Sequence, residues 1–127
     1  MGINISTDNS LTLVLLTKCL TLNEYIDIER ANKYAAAREK KSATTAIAWE
    51  VLNQTRVRFA RKVNIEMTFN TKHRYDDDNL FFRAKFALDG LAKAMVIKSD
   101  SPKWISLTSK RGSNTDENII IKITPCG

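Results

Sequence analysis

Val63-Asn64-Ile65-Glu66-Met67-Thr68-Phe69-Asn70 alternates apolar and polar residues without a break. Successive side chains of a strand point to opposite faces, so the pattern predicts a β-strand with one dry and one wet face. The strand runs towards Asp76-Asp77-Asp78-Asn79, where the period changes. Leu80, Ala84, Ala87, Leu88, Leu91 and Met95 recur at helical spacing and predict a helix with an apolar stripe. Acidic residues suit the start of that helix, because unpaired amides and the macrodipole favour negative charge there.

Working outward, Leu11 to Leu16 is apolar and short, follows Asp8 rather than a basic segment, and reads as a first strand, not a secretory signal. Thr21-Leu22-Asn23-Glu24-Tyr25 leads out of it. A helical region rich in Ala, Glu, Lys and Arg follows from about Ile26 to Gln54, and Ser42-Ala43-Thr44-Thr45 is the candidate bend. Beyond a loop at Lys98 to Pro102, Trp104 to Thr108 and Asn118 to Thr124 predict two more strands, with Gly112-Ser113-Asn114 in the connection. The order strand, helix, strand, helix, strand, strand predicts a mixed α/β (α+β) domain over residues 1–127, with about four strands in one small mixed sheet and two main helices.

No apolar stretch is long enough to span a bilayer, and no zinc-ligand or phosphate-loop spacing occurs. The formal charge of +6 favours polyanionic partners, nucleic acid among them. Cys19 and Cys126 are far apart and match no ligand spacing, so a reducing cytoplasm is expected.

The chemistry centres on carboxylates. In an extended backbone, residues two apart point the same way, so Asp76 and Asp78 would converge into a hard oxygen site, with Asp77 turned away. Mg²⁺ is commonly held by one or two carboxylates plus water and substrate phosphate. The competing reading is an acidic helix cap with Asp78 as the capping residue. Asp100 lies in the loop after the second helix, ahead of a strand expected to return alongside Val63 to Phe69. A third carboxylate there would complete a metal cluster; otherwise it is an ordinary turn residue. Lys85 is seven residues after Asp78, two helical turns on, on about the same face. It is placed either to neutralise phosphate charge or to pair with Asp89. Arg61 before the central strand, Lys72, His73 and Arg74 before the aspartates, and Lys98 and Lys103 after the second helix would form a cationic rim for phosphates, with Arg56, Arg58, Lys62, Lys110 and Arg111 nearby.

Asp76-Asp77-Asp78-Asn79-Leu80 resembles the Asp-x-Asp-Asn-Leu signature of RusA-type Holliday junction resolvases. Lys85-Phe86-Ala87-Leu88-Asp89-Gly90-Leu91 is similar to the Lys-x-x-Leu-Asp-Gly-Leu continuation of phage and prophage members. Val96 to Pro102 resembles the segment carrying the third acid, and Leu22-Asn23-Glu24-Tyr25-Ile26 the family's early Leu-Asn-Glu-Tyr stretch. Some members carry the lysine one turn after the second aspartate, where this chain has Phe82.

The resemblance implies a Mg²⁺-dependent endonuclease (Mn²⁺ a possible substitute) with no organic cofactor. Asp76, Asp78 and Asp100 would hold metal, and Lys85 would assist. Its substrate would be four-way or branched DNA, cut symmetrically by a homodimer with two sites, in a bacterial host or prophage cytoplasm. Phe81, Phe82 and Phe86 are candidates for the dimer surface or for the core. The alternative is a non-catalytic branched-DNA-binding protein of the same fold.

Overall fold

The computed structural model describes residues 10–17 and 19–126; residues 1–9, Asp8 among them, with Lys18 and Gly127 lie outside it. The chain runs β1 (Leu11–Leu15), α1 (Leu22–Ala31), α2 (Lys33–Gln54), β2 (Val63–Asn70), α3 (Asp77–Phe81), α4 (Arg83–Lys93), β3 (Ile105–Arg111) and β4 (Asn118–Pro125). This is the expected mixed α+β architecture, with one four-stranded sheet in the order β1-β4-β2-β3. Among the described residues no helix is long and apolar enough to cross a membrane.

β4 runs antiparallel to both β1 and β2, whereas β3 lies parallel to β2. Parallel neighbours need a crossover, which α3 and α4 supply. The register lines up apolar rows: Leu11–Ile123–Ile65, Leu13–Ile121–Met67 and Leu15–Ile119–Phe69 each cross three strands. All nine side chains are buried, and they join Ile47 and Val51 of α2 and Ala87 and Leu91 of α4 in one core. The opposite face is mostly polar, with Asn64, Glu66 and Lys122 exposed and a Glu66–Lys110 ion pair of 2.9 Å, beside Val14 and Ile120. A slip of one residue would turn every apolar row to water, so the alternation read at Val63 to Asn70 fixes the pairing.

Helix boundaries depart from the sequence reading for local reasons. Thr21 caps α1, and Glu24 reaches back to the Thr21 amide in a capping box. The helix therefore starts at Leu22 rather than Ile26. The break in the long helical region falls at Asn32, not at Ser42 to Thr45. Asn32 is extended, and its side-chain oxygen accepts from the amides of Tyr34 and Ala35, ending one helix and starting the next. Downstream, the second helix is two pieces hinged at Phe82, which ends α3 and opens α4. α4 closes with Val96 N–H donating to Leu91 O and Met95 N–H to Ala92 O, with Met95 at φ 66°. That double bond is the Schellman stop, here carried by methionine where glycine is usual.

The three phenylalanines serve the core rather than an open apolar surface. Phe86 is buried, Phe81 stacks on Phe69 at 5.3 Å, and Phe82 lies between Tyr25 and Phe86.

Candidate functional site

The loop after β2 delivers the acidic run to one end of the sheet. Asp76 caps α3, its Oδ1 accepting from the Asn79 amide at 2.9 Å. The capping residue is thus Asp76, not Asp78. Asp77 and Asp78 occupy the first helical turn, so the two-apart argument from an extended backbone does not hold. A helix turns each residue by roughly 100°, so Asp76 and Asp78 share the helix start without sharing a strand face. Asp77 is held by Arg111 at the end of β3, Nε to Oδ1 at 2.7 Å, while Arg111 Nη2 donates to Tyr75 O. Asp78 is exposed.

Asn79, buried below the acids, accepts from the Asn23 amide at 2.9 Å through Oδ1. That bond docks the start of α1 on the acidic turn, so the Leu-Asn-Glu-Tyr and Asp-Asn-Leu stretches are neighbours in space although 56 residues separate Asn23 from Asn79.

Asp100 does not join this group. β3 does return alongside β2 as expected, but parallel to it, with Ile105 beside Val63 and Arg111 beside Phe69. A turn in which Ser101 O accepts from the Trp104 and Ile105 amides places Asp100 just before the start of β3. At about 3.3 Å per residue, the strand alone separates that end from the acidic turn by roughly 20 Å. Among the described residues no three His, Cys, Asp or Glu side chains are grouped to hold a metal. One chain therefore does not form the three-acid cage. What it offers is a carboxylate pair, Asp76 and Asp78, on one end and Asp100 on the other. Each suits a hard cation only with water, phosphate or further carboxylates.

Asp100 has a neighbour the sequence reading cast only as an ion-pair partner. Asp89 on α4 is partly buried and carries a raised pKa. Burial is the main cause and the nearby Asp100 charge adds to it, against the opposing charges of Lys40 and Lys85. Lys85 lies on the first turn of α4, its ammonium 5.4 Å from the Phe82 ring centroid. The hinge at Phe82 breaks the two-turn phase that would have set it above Asp78. The described ion pairs are His73–Glu117, Lys110–Glu66 and Arg111–Asp77, so Lys85 acts on Asp89 through charge rather than a close pair.

The raised Asp89 pKa has a definite sign. Its ionised form is penalised in the folded state, so Asp89→Asn should raise stability at pH 7. The gain should shrink as pH falls towards the ordinary value of 3.8, where the unfolded carboxyl is itself protonated. Because the group is largely solvated, the difference should be a few tenths of a kcal/mol (about 0.3), readable as the pH dependence of the urea midpoint.

The cationic rim is divided in the same way as the acids. Lys72, His73 and Arg74 are exposed in the loop leading to Asp76, joined by Arg111. Glu117, just before β4, orders that loop, accepting from the Lys72 amide and the Thr71 hydroxyl and lying 3.9 Å from His73 Nε2. Burial pushes the Glu117 carboxyl up, but those two hydrogen bonds and the His73 and Arg83 charges outweigh it and hold the pKa below the ordinary value. Arg61, Lys98 and Lys103 lie at the opposite end, with Asp100. There the Phe59 amide donates to Val96 O, and Lys103 sits 5.6 Å from the Trp104 ring.

Arg83 was not singled out from sequence. It is 6% exposed at the start of α4, with Tyr75 against its guanidinium at 5.3 Å. A charged residue at the first position after a helical hinge carries no sequence signal of burial. Comparison with known protein families and with curated proteins finds no match.

Proposed function

We propose that the chain is a Mg²⁺-dependent, structure-selective endonuclease of the RusA resolvase type, acting on four-way or branched DNA as a homodimer. One observation carries the reading. The acids and the cations fall into two groups at opposite ends of β2, and each group has both kinds of residue. An isologous dimer that sets the Asp76–Asp78 end of one copy against the Asp100 end of its partner assembles all three acids, and does so twice. A four-way junction has two equivalent strands to cut, and such a dimer has two equivalent sites.

A divalent cation bound there, Mg²⁺ or Mn²⁺, would supply Lewis-acid chemistry at a phosphodiester. The chain's own residues do the rest. Lys72, Arg74 and Arg111 border one half of each site and Lys98 and Lys103 the other, so backbone phosphates are gripped from both sides. Lys85, on the helix that spans the two ends, is exposed and lies over the Phe82 ring, so its ammonium can turn towards phosphate.

The alternative is a branched-DNA-binding protein of the same fold that does not cut, favoured by the strand's length that separates Asp100 from Asp76 and Asp78. A synthetic four-way junction separates the two. The nuclease nicks it with Mg²⁺ and stops on chelation; a binding module retains salt-sensitive affinity and leaves every strand intact in both conditions.

A further inference from the structure

Arg83 is almost fully buried, yet its Nε and Nη2 have no hydrogen-bond partner among the described residues. An arginine stays charged in any protein setting, and burying its N–H groups without hydrogen-bond partners is unfavourable. Tyr75 offers its ring face, which accepts no in-plane N–H bond. Arg83 lines a cavity of about 230 Å³, with Leu15, Thr17, Cys19, His73, Glu117 and Asn118, and its two unpartnered nitrogens lie closed off from solvent beside it.

None of the cavity's described groups accepts a hydrogen bond from those two nitrogens. Burial pushes the Cys19 thiol up to about 11, against the pull of Arg83 and with a smaller push from Glu50, so it stays neutral. Glu117, the one carboxylate in the lining, feels the Arg83 charge, which helps hold its pKa down, but its oxygens accept from the Lys72 amide and the Thr71 hydroxyl and make no hydrogen bond to Nε or Nη2. Asn118 gives its side-chain oxygen to Asn70, which leaves its amide donors. A planar fork of unused N–H groups beside an imidazole and amide donors matches a tetrahedral oxyanion.

We propose that this cavity is a binding site for a phosphate group, with Arg83 as its anchor and His73 at its edge. It lies where β1 ends and β4 begins, at the same end of the sheet as Asp76–Asp78 and the Lys72–Arg74 loop. The phosphate is therefore either free in solution or one carried by DNA bound at that end. The inference goes beyond the nuclease reading and stands without it, because phosphate binds whether or not a strand is cut.

Thermal melts of the wild type and Arg83→Met, in inorganic phosphate and in chloride of equal ionic strength, test it. At ten times the dissociation constant, phosphate should raise the wild-type midpoint by on the order of 5 °C and leave Arg83→Met unmoved. Equal stabilisation of both proteins, or none of the wild type at 50 mM phosphate (about the upper end of a useful site), overturns the proposal. If Arg83→Met does not fold, amide NMR of the unaltered protein decides. Phosphate-dependent shifts confined to Thr17, Cys19, Asn118 and Ile119 support the site, and diffuse or absent shifts overturn it. DNA affinity assigns the source in a folded variant: weakened binding by Arg83→Met indicates a backbone phosphate, unchanged binding a free one.

Discussion

Asp76→Asn and Asp100→Asn are each expected to lower Mg²⁺-dependent nicking of a four-way junction by about 10³-fold or more, while junction binding changes only a few-fold. A thousandfold loss corresponds to roughly 4 kcal/mol of barrier, the scale set by removing charge stabilisation at a phosphodiester. The folded state should be spared for separate reasons at the two positions. Asp76 caps α3 through Oδ1, and asparagine caps as well as aspartate. Asp100 is exposed in a turn, where an isosteric amide costs little. Thermal midpoints within a degree or two of wild type (about the scatter of surface substitutions) would show that chemistry rather than folding was removed. Full activity in Asp100→Asn would take the third acid out of the site.

Gly90→Ala should destabilise the fold by about 1–3 kcal/mol, a fall in midpoint on the order of 10 °C. Gly90 belongs to the Leu88-Asp89-Gly90-Leu91 run and lies where α4 packs on α2. A Cβ there would sit 2.3 Å from Ile47 Cγ2 and 2.8 Å from Ile47 Cβ. The first contact is a methyl; the second is next to the backbone and cannot swing away, so the helices must part. Alanine's higher helix propensity, worth up to about 1 kcal/mol, offsets only part of this. Ile47→Ala removes the methyl, so the double variant should be less destabilised than the sum of the single changes. Additive losses would mean that the two helices do not meet at this point.

The sheet was legible because its evidence is local. Val63 to Asn70 alternates on a two-residue period, and all four expected strands formed, β3 running on to Arg111. Helix boundaries were less so. The Thr21–Glu24 capping box, not the start of the Ala-rich run, sets where α1 begins, and Asn32 gives the break expected of the Ser42 to Thr45 stretch. The candidate site shows the deeper limit. That β3 would lie beside β2 was readable; its direction was not, and direction alone decides whether Asp100 meets Asp76 or sits a strand's length away. Likewise, nothing in the sequence distinguished buried Arg83 from the exposed cations around it. Its burial depends on where β1 and β4 end relative to α4, which is a property of the assembled fold.

Co-expressing Asp76→Asn and Asp100→Asn chains, each inactive alone, tests the dimer-completed site most directly. If the acids come from different subunits, a mixed dimer has one site with both replacements and one with neither. Half of the dimers are mixed when the chains assort freely, so nicking should return to about a quarter of the wild-type rate, as single nicks rather than paired cuts. No recovery from a mixture shown to contain mixed dimers would contradict a site shared between subunits.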